Sequence, residues 1–218
     1  MSDFFTDAQR QIQSEFESTQ LADRIVEAAV HEELSADQIE FIHARNMFFL
    51  ATVDEFGFPS CSYKGGSEGF VRVTSPHTLY FPSYDGNGMY LSMGNIDANK
   101  KVGLLFVDFE KPQRVRVRGE ARCLRSGPMM DSYPGADMII EVSVAHVWIN
   151  CPRYIHQMSS QETSPYIPDA QGQARLALWK RLDLLQDVLN AADQERAKQL
   201  GLISIEQYDS MVATGRLI

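Results

Sequence analysis

The alternation Arg114-Val115-Arg116-Val117-Arg118 is the stretch of this chain best suited to holding a negative charge. A period of two puts the three arginines on one face of a strand and the valines on the other. Upstream, the polar, glycine-broken stretch Asp85-Gly86-Asn87-Gly88 leads into a segment of helical character that ends near Asn99. Free main-chain amides in such a loop, together with a helix start, favour a bound phosphate, and a cationic strand nearby would add charge. Arg122 extends the cationic row. The row has a second reading as a solvated edge strand, because cations are a common way to blunt a sheet edge.

Other chemistry is harder to find. There is no GxSxG, HExxH or Walker loop, and Gly86-x-Gly88 lacks the third glycine of a dinucleotide fingerprint. The histidines His31, His43, His77, His146 and His156 share no metal-ligand spacing, so no metal site is expected. Cys61, Cys123 and Cys151 are odd in number and contain no CxxC, which argues for a reducing compartment and against a disulfide or zinc framework. Cys61 and Cys151 read as buried bystanders rather than redox groups. A chain without an evident acid, base or nucleophile either borrows its chemistry from a cofactor or is a binding module.

The elements that must position these residues follow meander spacing. Met47 to Val53 is a β-type run, Asp54-Glu55-Phe56-Gly57 a turn, and Ser60 to Lys64 the return strand opened by Pro59. Strand and turn recur at Phe70 to Thr74 and Leu79 to Phe81, the last expected to stop at Pro82. Val102 to Phe109 reads as a buried strand, Arg114 to Cys123 as the next and Met138 to Ile149 as a long final one. Helices flank this set. Thr6-x-x-Gln9, Ser35-x-x-Gln38 and Ser204-x-x-Gln207 have capping-box spacing. Leu21, Ile25, Val26, Ala29 and Val30 share one helical face, an amphipathic cover for the sheet or for a partner subunit. Ile39 and Ile42 point inward, and their helix ends near Arg45-Asn46. Residues 159–173 read as a linker, and Leu176, Trp179, Leu182, Leu185, Val188 and Leu189 as an apolar helical stripe.

Composition bounds the class. With 218 residues, 44% hydrophobic and 22% charged, the chain has a soluble globular profile and enough length for a real core. No apolar run approaches the roughly 18 residues of a membrane span, and no signal peptide is visible, so the cytoplasm is expected. Of the net charge of −9, the first forty residues carry −8, with ten acids and two bases. The acidic excess disfavours nucleic acid and anionic membrane as partners and leaves the remainder close to neutral.

The order Ser60-Cys61-Ser62-Tyr63-Lys64-Gly65-Gly66, then Asn99-x-x-Val102-Gly103-Leu104-Leu105-Phe106, then Arg114-x-Arg116-x-x-Gly119-x-Ala121 resembles the pyridoxamine 5′-phosphate oxidase-like family, the FMN-binding split barrels. The resemblance covers roughly residues 40 to 155. It implies a homodimer with FMN held between two subunits by strands, a turn and a helix start. Its first binding segment falls on Ser60, Cys61, Ser62, Tyr63 and Lys64, with Lys64 pairing with the flavin phosphate. Its second falls on Phe81 and Pro82 and on Asn87, Met89, Tyr90, Ser92 and Asn95. Its third falls on Arg114, where the family often carries a glutamine; an arginine there would stabilise negative charge on the reduced ring. Asn150-Cys151-Pro152-Arg153-Tyr154 resembles a segment that follows the last strand in related flavoproteins, and it would bring Arg153 towards the site. The oxidases' Ser-Arg-Lys cluster is replaced here by Tyr90-Leu91-Ser92. Their terminal arginine- and histidine-bearing motif is absent from Met211 to Ile218, so pyridoxamine phosphate is not the expected substrate.

The expected fold is α+β, mainly β: an antiparallel split β-barrel with N-terminal and C-terminal helices. The divisions expected are a helical extension over 1–40, the FMN-binding barrel over 41–158, and a linker with a helical extension over 159–218. The expected function is an FMN-dependent oxidoreductase acting on a small molecule through flavin N5. The alternative is a non-catalytic flavin- or haem-binding module.

Overall fold

The structure, a computed structural model, describes residues 4–159 and 162–214. Three helices open it: α1 (Asp7–Glu15), α2 (Thr19–Ala29) and α3 (Ala36–His43). The capping boxes at Thr6/Gln9 and Ser35/Gln38 form as spaced, each side chain accepting from one free amide of the first turn while the glutamine returns the bond. Between α2 and α3 a two-residue strand, β1 (Val30–His31), pairs with the final strand of the sheet at Trp148 and Val147. The N-terminal extension therefore contributes a strand as well as helices. Val26 and Leu34 are buried, whereas Ile12, Phe16, Leu21 and Ile25 stay exposed on the single chain.

The sheet comprises β2 (Met47–Val53), β3 (Pro59–Gly65), β4 (Arg72–Ser75), β5 (Thr78–Tyr84), β6 (Lys101–Asp108), β7 (Gln113–Leu124) and β8 (Ala136–Ile149), in the order β3-β2-β6-β7-β8-β5-β4 with β1 joined to β8. Every pairing is antiparallel. This is the expected split barrel. Alternation along β2 turns Phe48, Leu50 and Thr52 inward, and along β7 it buries Val115 and Val117 and turns the arginines out. The core centres on Phe48, whose ring lies 5.0 Å from Phe81, 5.1 Å from Phe106 and 5.9 Å from Phe70. Where β7 crosses β8 the register shifts at Arg118/Gly119, and a Cβ on Gly119 would stand 2.1 Å from the Ser143 carbonyl oxygen. Only a glycine permits that approach.

Two expectations fail for identifiable reasons. The Leu79 run does not stop at Pro82: β5 continues to Tyr84, with Pro82 opposite Ile139. β4 pairs with β5 only as far as Tyr80, so beyond that point one side of β5 is an open edge, where a residue without an N–H is tolerated. The Leu176 to Leu189 stripe is not a continuous helix but two short 3-10 turns, Leu178–Arg181 and Asp183–Leu185. Leu182 between them is extended, at φ −59° and ψ 129°, and bridges to Ile203. Helix α5 (Ala191–Leu200) follows, capped by Asn190. It precedes α6 (Ile205–Ala213), which opens on the expected Ser204 box.

Helix α4 (Leu91–Asn99) joins β5 to β6 and packs on β2, β3 and β7. Its cap residue, Tyr90, is left-handed at φ 47° and makes no side-chain cap bond. The helix is held instead by its own polar side chains. Asn95 donates to the buried Thr52 hydroxyl at 3.0 Å, and Asn99 donates to the Val53 carbonyl.

Candidate functional site

At one end of the barrel lies a cavity of about 1040 Å³, at the upper limit of the roughly 300–1,000 Å³ that small-molecule sites occupy. Its walls come from five places: residues 44–47 between α3 and β2, residues 63–68 at the end of β3, residues 82–86 at the end of β5, residues 107–110 at the end of β6, and part of 158–167 beyond β8. The topology explains the gathering. β2 and β6 are neighbours, β3 is the outer partner of β2, and β5 is brought round by β8.

Lys64 is the exposed chemistry of this wall. It is half-buried, and among the described residues its ammonium has neither a salt-bridge nor a hydrogen-bond partner. Burial alone pulls its pKa below the ordinary 10.5. Arg45 and Asp108, by contrast, are committed to each other at 2.7 Å, with side chains only 18% and 15% exposed. Burial pushes the Asp108 carboxyl up, but the N–H groups of Lys111 and Glu110 and the Arg45 guanidinium outweigh it and hold it below the usual range. On the opposite rim Asp85 pairs with Lys180. Nothing in the sequence marks either pair, because their partners stand far apart along the chain.

The expected site residues divide. Tyr63, Lys64 and Pro82 line the cavity. Ser60, Ser62 and Lys64 share the inner face of β3, and the Ser62 hydroxyl hydrogen-bonds that of buried Ser92 at 2.9 Å, tying the strand to the first turn of α4. Asn95 spends its amide on Thr52. Phe81 is fully buried against Phe48, which leaves only its backbone to meet a ligand. Asn87 accepts from the Met89 amide at 3.1 Å in the exposed loop, and the Tyr90 hydroxyl donates to Asp137 at 3.1 Å. Neither those three residues nor Ser60, Cys61 and Arg114 line the cavity of the single chain.

The arginine row is dispersed rather than pooled. Arg114 donates to the Cys151 carbonyl at 3.0 Å, and its buried Nε has no acceptor among the described residues. Arg118 lies 4.0 Å over the Phe4 ring and donates to His146 Nδ1 at 3.2 Å. Arg122 pairs with Glu141 at 2.7 Å. Among the described residues no group of three His, Cys, Asp or Glu side chains is placed to hold a metal ion, and no helix is long and apolar enough to cross a membrane. The terminal stretch from Gly215 to Ile218 lies outside the described residues.

Cys61 and Cys151 are exposed, not buried as expected. Cys61 sits on the outward face of edge strand β3, and Cys151 lies just past the end of β8. Hydrogen bonds from the Arg153 backbone and side chain lower the Cys151 pKa, whereas burial, with Asp97 nearby, pushes Cys123 up to about 11. Because the thiolate is the reactive form, iodoacetamide at pH 7.5 is expected to label Cys151 at least tenfold faster than Cys123. Peptide mass spectrometry over a time course checks this, and equal rates would overturn it.

The sequence model of the family described as "Pyridoxamine 5'-phosphate oxidase" matches residues 34–162, well over half of the chain. No curated protein matches the chain. Among solved structures, Group A Streptococcus HupZ is 17% identical, covering 58% of this chain and 99% of its own at a TM-score of 0.46. A putative pyridoxamine 5′-phosphate oxidase from Lactobacillus delbrueckii is 22% identical over 54% of this chain and 95% of its own, with a TM-score of 0.45. The FAD binding protein from Mycobacterium smegmatis is 16% identical over 55% of this chain and 97% of its own, with a TM-score of 0.38. The matched stretch takes in every strand from β2 to β8 and four of the five walls of the cavity, with the fifth only as far as residue 162, and by it the chain belongs to the pyridoxamine 5′-phosphate oxidase family.

Proposed function

We propose that this chain binds FMN as a cytoplasmic homodimer and works as an oxidoreductase on a small molecule. The observation that carries the reading is Lys64: a half-buried cation without a counter-ion among the described residues, facing a cavity large enough for a cofactor. A phosphate would complete that cation with a charge-assisted bond. The orphaned Nε of Arg114 is a second donor awaiting an acceptor. In a dimer-built flavin site it would face the ring rather than the phosphate. Ser62 and Ser92, already bonded to each other, would offer hydroxyls to the ribityl chain. When bound, the flavin supplies hydride exchange through its N5, and the chain's part is to hold it and keep water out. The homodimer is supported by Ile12, Phe16, Leu21 and Ile25, an exposed apolar set on α1 and α2.

The second reading is a module that holds flavin or haem without catalysis. It is favoured by the mutual commitment of Arg45 with Asp108 and of Asp85 with Lys180, which occupies ionisable groups on the wall. The purified protein is expected to show flavin absorption bands, to release FMN on heating, and to be reduced by a nicotinamide donor in stopped flow. Light scattering should return twice the chain mass. A colourless protein that refuses added FMN overturns the flavin reading, and a Soret band selects haem. Bound flavin that no nicotinamide donor reduces selects the non-catalytic module.

A further inference from the structure

Beyond the barrel, residues 162–164, 166 and 167 form part of the cavity wall. Among the described residues, two contacts tie the stretch that follows them to the barrel. At the first, Gly172 crosses Gly135 so closely that a Cβ on Gly172 would stand 2.7 Å from the Gly135 nitrogen, and one on Gly135 would stand 2.8 Å from the Gly172 carbonyl oxygen. Both glycines have left-handed φ, 78° and 80°, so the crossing is built for residues without side chains. At the second, Lys180 reaches back ninety-five positions to Asp85 in the glycine loop, Nζ to Oδ2 at 2.5 Å.

Lys180 is an unusual latch because its side chain is only 4% exposed while that of Asp85 is 67% exposed. Its other partner, Asp193, lies at 2.7 Å and is 12% exposed, held in turn by Asn190 at 2.8 Å. Burial pulls the Lys180 pKa down, but the bonds to Asp193 and Asp85 overcome it and hold the ammonium charged. The Lys180–Asp193 pair belongs to the C-terminal segment itself. The Lys180–Asp85 bond is an addition that joins this segment to the cavity rim. Breaking it from the Asp85 side leaves Lys180 still paired, so the segment keeps its internal structure.

We propose that residues 162–185 form a strap across the mouth of the cavity, and that Lys180 is a positioning residue that latches the strap to Asp85, so that ligand enters and leaves only when the latch opens. The identity of the ligand rests on the flavin reading above; the strap itself does not. A latch of this kind slows entry and exit together, whereas a direct ligand contact acts mainly on exit. Lys180 does not line the cavity, so a rate effect at Lys180 cannot come from a lost ligand contact.

The test compares wild type with Asp85→Ala and Lys180→Met. FMN association and dissociation are followed by flavin fluorescence, and native-state chymotryptic cleavage at Tyr166 is followed on the apo protein. Both rate constants are expected to rise about tenfold in Asp85→Ala with Kd changed less than threefold, and cleavage at Tyr166 is expected to accelerate. Lys180→Met, where it folds, should match it, and the double variant should add nothing further. Unchanged rates and unchanged cleavage in Asp85→Ala would overturn the strap. So would a faster dissociation alone, which would mark Asp85 as a plain ligand contact. If wild type binds no FMN, the flavin reading fails and cleavage decides: acceleration in Asp85→Ala upholds the strap, and equal cleavage overturns it.

Discussion

Lys64→Ala is expected to raise the Kd for FMN by about ten- to a hundredfold while leaving the fold intact. Among the described residues Lys64 has no ion-pair or hydrogen-bond partner to lose, so its removal leaves no carboxylate there orphaned. On the proposed reading its favourable contribution is to the ligand. A hydrogen bond to a charged group is worth roughly 1.5–3 kcal/mol, and each 1.4 kcal/mol is about tenfold in affinity. Fluorescence titration of the apo protein with FMN measures it, and an unaltered Kd would remove Lys64 from the phosphate. The pH dependence has a definite sign. Burial lowers the Lys64 pKa, so on the proposed reading the cation would be lost at a lower pH than for an ordinary lysine, and FMN affinity is expected to fall as pH rises through that value. The apo protein moves the other way. Between the lowered pKa and 10.5 the unfolded chain binds more protons than the folded one at this position, so the contribution of Lys64 to folding stability improves as pH rises. The two trends have opposite slopes and separate a ligand role from a structural one.

The second large effect is on stability. Phe48→Ala is expected to cost about 3–5 kcal/mol, the usual range for removing a buried phenyl ring. Phe48 is fully buried and its ring contacts those of Phe81, Phe106 and Phe70, which come from β5, β6 and the turn before β4. The cavity left behind cannot be filled by one neighbour, because the three rings are anchored on different parts of the chain. Urea unfolding of Phe48→Ala against wild type gives the figure, and a loss below about 1 kcal/mol would show that the core relaxes around the gap. Pro82 follows Phe81 and Met47 precedes Phe48 along the chain, and both line the cavity. The variant should therefore also weaken ligand binding.

Much of the fold was legible because local chemistry decides it. Three capping boxes placed the starts of α1, α3 and α6, and the arginine–valine alternation of β7 told which face was inside. Failures came where a distant partner decides instead. Pro82 looked like a strand end because its neighbour across the sheet, Ile139, stands far along the chain, and so does the end of β4 that frees its other side. The Leu176 to Leu189 stripe had helical spacing, but Leu182 is pulled into an extended bridge with Ile203 and Lys180 into its carboxylates. Of the cavity wall, the family resemblance pointed to Tyr63, Lys64 and Pro82. The wall contributed by residues 158, 159, 162–164, 166 and 167 was not legible, since nothing local in those residues marks their place at the cavity.

The strand order has a consequence for how the chain acquires its shape during synthesis. β2 with β3, and β4 with β5, are hairpins that form from sequence neighbours, yet the two hairpins share no edge. β2 waits for β6, and β5 waits for β8, whose first paired residue is Ala136. A two-stranded hairpin is marginal in water. A nascent chain that has emerged from the ribosome as far as Tyr84 therefore carries two half-stable hairpins with open edges, and only the arrival of β8 joins them. Such long-range closure is slow and exposes apolar surface meanwhile. The nascent chain is thus most in need of a chaperone between the emergence of β5 and that of β8.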